Sequence, residues 1–442
     1  MNAIKLTYLT IGAAFLLASC ENDAPQTEMP TESRQMHFRT SFPEIVSRGQ
    51  IVSNDNLDEF HVTVFNPADS MDGKLSPYID EEVVKMSDGS GVFSSENCMW
   101  PEPGKEKNAL TFFAYYPAAY EGATIENATT ISGAEPVFDY KLNFRVSDDI
   151  SKQVDFITAY KSASMQSEMF SDIKLDFEHQ LSRIEVNAKG ESKSFKIEIA
   201  GIRIGGSYMK AAYDFKPIAG AGEWILHSEK AEKGNAEYIY SPQDKVVTID
   251  KTASEVSIMG GTGECNYAML IPAEYAGWNY ENDNTNSDQG LYLGVLLRVI
   301  DTKGKQQYPY VDTNQGPNAL DIPKVYLAVD GNGTVMSEQL YKGADGRYYT
   351  DPELNNQYNA PQGSQVKEFG WSTLPIPANW EPGYSYTYTL DYTLGVGLHA
   401  PDVEPSEGPN AGDPIISDKV GLTVSVKGWQ SVSSSGITVP GS

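Results

Sequence analysis

The chain has 442 residues, with 33 Lys and Arg against 60 Asp and Glu, for a formal net charge of −27. That length is enough for two domains, each with its own core, and an apolar share of 40% is too high for a disordered chain. The acidity excludes nucleic acid as a partner, and adsorption to anionic lipid as well, since both need a basic face.

In chain order, the first element is an address. Lys5 precedes an apolar stretch from Leu6 to Ala18, and Leu17-Ala18-Ser19-Cys20 follows at once. A basic start, a short apolar middle and small residues before a cleavage point describe a secretory signal over residues 1–19. Ending on Cys20, it resembles the lipobox of bacterial lipoproteins, in which cleavage precedes the Cys and its thiol takes a diacylglycerol. Each buried CH₂ contributes about 0.8 kcal/mol, so two or three acyl chains hold firmly. The competing reading is an ordinary signal peptide in which Cys20 is incidental. Residues 20–35 are polar, acidic and Pro-containing, without periodicity, and read as a tether. No Asp follows Cys20, which by lipoprotein sorting rules implies the outer membrane.

Beyond the tether, period-2 alternation recurs in short segments bounded by Gly, Pro, Asn or Asp. The first runs from Met36 toward Val46, and others cover 59–65, 110–116, 173–177, 183–186, 196–199 and 384–390. The last alternates Val420, Leu422, Val424 and Val426 on one face, and Ile437 and Val439 suggest a short strand after it. Only Ala159 to Phe170 offers a turn or two of helix, and the 26 Tyr suit half-buried pleated surfaces. Nowhere does an apolar run of about 18 residues offer a membrane-spanning helix. The expectation is an all-β chain of two β-sandwich domains, 36–168 and 169–442.

Chemistry-bearing residues are sparse. His37, His61, His179, His227 and His399 do not fall at metal-ligand spacings, and HExxH, CxxC, GxSxG and Gly-rich phosphate loops are absent. His179 is expected to make a structural hydrogen bond within a sheet. Asp283 to Asp288 has the look of a calcium loop but lacks the Gly and terminal Glu of an EF-hand, so it reads as a solvated turn. Cys98 and Cys265 either pair in an oxidising compartment or sit as small buried apolar residues. Trp371, Trp380 and Tyr384, with Tyr386 and Tyr388, either line a glycan-binding groove or form one packed sandwich face. No catalytic constellation emerges, and no metal or cofactor is expected.

Several segments together resemble the fimbrillin family, the subunits of type V pili. They are the lipobox, the first strand, Ser47-Arg48-Gly49, Leu110 to Pro117, Asp155 to Ala159, Leu175 to Ile184, Trp380 to Tyr388 and Lys427-Gly428-Trp429, in the expected order. The resemblance implies two transthyretin-like sandwich domains and a lipoprotein precursor, anchored in the outer membrane through lipid on Cys20. It further implies a trypsin-like protease cutting between Arg48 and Gly49, which removes 36–48 as a first strand and loop. Another subunit's C-terminal segment, 419–442 here, would then fill the vacated groove. Partners would be other fimbrial subunits, that protease and a host or bacterial surface ligand. Burying about four donor side chains contributes on the order of 6–12 kcal/mol before ordering costs. Three roles stay open: a polymerising stalk subunit, a tip or anchor subunit, and a surface lipoprotein that binds glycans.

Overall fold

The computed structural model describes residues 34–42, 52–66 and 76–428, apart from 88, 103–104, 106–108, 118–123, 128–129, 133–134, 138–139, 219–220, 230, 252–253, 261–265, 284, 311–321, 403–408 and 418. Among these residues nearly all regular structure is strand. The helical pieces are one α-helical turn, Met165–Glu168, capped by the Ser164 side chain, and a 3₁₀ turn, Ile150–Lys152.

Eight strands form the first sheet, in the order Ile173–Asp176, Gln35–Ser41, Phe93–Met99, Pro77–Met86, Glu59–Phe65, Leu110–Tyr116, Ile157–Ala163 and Glu178–His179. The two ends of that order are separated in sequence only by Phe177. The sheet therefore folds round on itself, enclosing a core that includes Met36, Phe38, Phe60, Val62, Phe112 and Leu175. Alternation in the sequence produces this directly. Along Leu110–Tyr116, Leu110, Phe112 and Ala114 face this core, while Phe113 and Tyr115 face the neighbouring one.

That neighbouring core lies between an eleven-stranded and a five-stranded sheet. Ser182–Lys189 shows the pattern at its cleanest, with Ser182, Ile184, Val186 and Ala188 inward and the residues between them partly open. Phe195–Phe215, 21 residues long, is the spine of the larger sheet. It pairs antiparallel with Tyr292–Asp301, Glu232–Ile239 and Tyr140–Arg145. Gly205-Gly206 lets it pass a bulge rather than turn. Gly206 has φ 78°, and a Cβ there would meet Gly290 O at 2.3 Å. Strands from both sides of residue 168 thus share sheets: Tyr140–Arg145 joins the spine, and Ile173–Asp176 joins the first strand.

The five-stranded sheet ends on Gly421–Gly428, which pairs antiparallel with Tyr384–Asp391. Among the described residues its other side carries no strand.

Candidate functional site

The first strand, Gln35–Ser41, is an interior strand. It runs parallel to Ile173–Asp176 on one side and antiparallel to Phe93–Met99 on the other. Met36 and Phe38 are wholly buried. The Phe38 ring meets Phe60 and Phe112 edge-on at centroid distances of 6.2 and 6.1 Å. Burial of these two side chains contributes on the order of 3–6 kcal/mol.

The strand is also tied at both ends. The Arg34 guanidinium donates to Trp100 O at 3.1 and 2.8 Å, and Trp100 N–H donates back to Arg34 O at 2.7 Å. At the other end Arg39 pairs with Asp172 at 2.5 Å, Ser41 donates its hydroxyl to Asp176, and Phe42 stacks on Phe177 at 5.6 Å. Burial pushes the Asp176 carboxyl up, but the Ser41 hydroxyl and Lys174 outweigh it and hold the group below its ordinary value.

Beneath this end lies a pair that sequence reasoning only half found. His179 Nδ1 is 2.7 Å from Asp155 Oδ2, with both side chains fully buried, which accords with a structural hydrogen bond at His179. The same carboxylate oxygen accepts the Val52 N–H at 3.2 Å. Phe42 lies against the His179 ring on the other side, with centroids 6.4 Å apart. Asp155 and His179 therefore hold the chain on both sides of residues 43–51. No spacing signal links two residues 24 apart in sequence and joined only by the sheet.

The last described strand is built differently. Val426, Val424 and Leu422 sit opposite Tyr386, Tyr388 and Leu390, on the face that looks toward the core. Val420, Val424 and Val426 are nevertheless only half-buried against that core, and Leu422 is 38% exposed. The alternation is real, but the strand is a thin margin rather than a core element.

The late aromatics do not assemble into a groove. Trp371 is 5% exposed in one core, under the Arg203 guanidinium at 4.2 Å; Trp380 is 2% exposed in another, donating to the Tyr388 hydroxyl at 2.9 Å. Tyr384 alone is open, at 40%. Trp380, Tyr386 and Tyr388 pack together in one core, as a sandwich face would, whereas Trp371 belongs to another. Asp283 spends its oxygens on Thr285, Ser287 and Asp288 N–H in a local turn. No group of three His, Cys, Asp or Glu able to hold a metal occurs among the described residues. Cys98 is a buried thiol pushed up to about 12 by burial and by Glu82. Cys20, Arg48, Gly49, Cys265, Ile437 and Val439 lie outside the described residues.

Fold and site define an all-β sandwich protein with one apolar strand seated in the interior and another at an open margin. A profile of the fimbrillin-like family matches residues 48–291, more than half of the chain, and the chain belongs to that family. It is thereby a fimbrial or adhesin subunit of a structural, cell-surface class. No curated protein sequence matches it. Among solved structures it is similar to a fimbrilin from Porphyromonas gingivalis, at 10% identity and TM-score 0.36, covering 90% of this chain and 98% of that one. A candidate cell adhesion protein from Bacteroides eggerthii matches at 10% identity and TM-score 0.38, covering 90% and 96%. A candidate polysaccharide-binding protein from Bacteroides thetaiotaomicron matches at 10% identity and TM-score 0.31, covering 64% and 85%.

Proposed function

We propose that the chain is the precursor of a type V fimbrial stalk subunit. It is exported as an outer-membrane lipoprotein through Cys20, cut between Arg48 and Gly49 by a trypsin-like protease, and polymerised by strand exchange. The observation that carries this reading is the contrast between the two strands. Taking away an interior strand that buries Met36 and Phe38 strips Phe93–Met99 and Ile173–Asp176 of backbone partners and opens an apolar trench. A strand from another subunit restores both the hydrogen bonds and the burial. Gly421–Gly428 is the complementary element, alternating and only half-covered. Groove and donor are different surfaces, so the contact is heterologous and propagates as a filament.

Protease choice follows from access. Arg34 is bound to the Trp100 carbonyl and Arg39 is paired to Asp172 within the sheet, which leaves Arg48 as the basic residue between Phe42 and Val52 in the sequence. Limited digestion with a trypsin-like protease should leave Gly49 as the new N-terminus and convert monomer into a ladder of oligomers. Arg48→Ala should remain monomeric. A cut product that stays monomeric, or an uncut variant that polymerises, sinks the reading. Mature surface protein beginning at Cys20 would instead make the chain an anchor subunit.

A further inference from the structure

We propose that a second copy of this chain docks its C-terminal segment in one register, with Leu422 entering the slot left by Phe38. This rests on the strand-exchange reading and adds to it the residue that sets the register. The argument starts from what the groove holds before exchange. Its first strand reads Met36-His37-Phe38-Arg39-Thr40-Ser41-Phe42, with 36 and 38 wholly buried and Phe42 stacked on Phe177. The donor reads Val420-Gly421-Leu422-Thr423-Val424-Ser425-Val426.

Laid in the same direction, with 420 on 36, the two agree at the inward positions and at Ser41, and differ at the outward His37 and Arg39, which meet Gly421 and Thr423. Apolar meets apolar at 36, 38 and 42, and a β-branched residue meets another at Thr40. Serine meets serine at Ser41, where the hydroxyl bonded to Asp176 is reproduced by Ser425. The slot at 38 is lined by the Phe60 and Phe112 rings, and Leu422 is the only donor side chain larger than valine in this stretch.

Other placements fare worse: reversed with Val424 in the slot, the donor buries no charge but sets only a valine where Phe38 sat, and three further placements fail on charge or volume. Slid so that Val420 enters the 38 slot, the donor buries Asp418 where Met36 sits. Slid the other way, with Val424 in the slot, it lays Gly428 on the Phe177 ring. In the reversed direction with Leu422 kept in place, Lys419 gains an ion-pair partner in Asp176, but Asp418 falls on Phe177. Burying a carboxylate against aromatic rings without a partner is costly. A one-residue slip would turn the whole apolar face outward. Leu422 is also the most exposed of the donor's apolar side chains in the monomer, so a partner can reach it.

Leucine is smaller than the phenylalanine it replaces, so the filled slot retains a void, and filling a void strengthens the contact. The test is made on full-length protein, wild type, Leu422→Phe, Leu422→Thr and Val424→Phe, cut with a trypsin-like protease, with oligomer dissociation followed by size-exclusion chromatography. Leu422→Phe should slow dissociation by about tenfold, Leu422→Thr should speed it by about tenfold or more, and Val424→Phe should not slow it. Near-ultraviolet circular dichroism of the uncut proteins confirms that the precursor fold is kept. If Val424→Phe tightens the oligomer while Leu422→Phe leaves it unchanged or weaker, the register is wrong and strand exchange stands. If cut wild-type protein forms no oligomer at all, strand exchange itself is overturned and the register with it.

Discussion

The first and last strands carry the same kind of alternation and sit in opposite circumstances. Among the described residues, Gln35–Ser41 has a neighbour on each side and two side chains sealed from water; Gly421–Gly428 has one neighbour and no side chain sealed. The difference teaches that apolar alternation in a strand reports what it can bury and not what it has buried. A segment with unspent apolar surface at a sheet margin is a liability in a monomer and an asset in a polymer.

The largest effect that could break this contrast is on stability. Phe38→Ala should cost the uncut protein about 3–5 kcal/mol in chemical denaturation, while Val424→Ala should cost about 1 kcal/mol or less. Equal losses would mean that the last strand is as much a core element as the first.

A second effect, of about 3 kcal/mol, concerns the segment leading into the last strand. His399 is buried beside Tyr308 and Tyr310, and its backbone bonds to Asp413 and Gly412. Burial lowers its pKa from 6.5 to about 4, against an opposing pull from Asp413. The unfolded chain takes up the proton first, so this stability is complete above pH 6.5 and drains away as pH falls toward 4. Thermal melts of His399→Phe should show a shallower loss between pH 6.5 and 4 than the wild type; identical slopes would count against it.

Smaller again is Asp155→Asn, which weakens the tie between His179 and Val52 N–H and should cost about 2 kcal/mol. Hydrogen exchange should quicken at Val52 before it quickens at Val424's neighbours in Tyr384–Asp391. Smallest is Arg39→Ala: its pair with Asp172 is half in solvent and should contribute between about 0 and 1 kcal/mol, less in high salt.

Much of the fold was legible because period-2 burial writes itself into sequence. The segment 183–186 falls inside Ser182–Lys189, and 110–116 coincides with Leu110–Tyr116, although that strand is buried on both faces. What was not legible depended on partners far along the chain. The segment 196–199 is only the start of Phe195–Phe215, which runs on through Gly205-Gly206 where Gly290 and Tyr292 press against the backbone. Trp371 and Trp380 look like one aromatic surface, and only the sheets reveal that they belong to separate cores. Asp155 stood within a recognisable segment, but its service to His179 and Val52 required the closed sheet to bring the three together. The donor's alternation was plain, whereas its place at the margin was not, since edge and centre share the same code.

The spine Phe195–Phe215 has a consequence for how the molecule melts. It is laddered to Tyr140–Arg145 from the earlier half of the chain and to Tyr292–Asp301 from the later half, and Phe65, Phe113 and Tyr115 lie in the same core as its isoleucines. Neither half can come apart without tearing hydrogen bonds and apolar contacts from the other. A chain of this size would ordinarily show separate calorimetric transitions for separate domains. This one should absorb heat in a single cooperative peak, with the amides of the spine among the last to exchange with solvent.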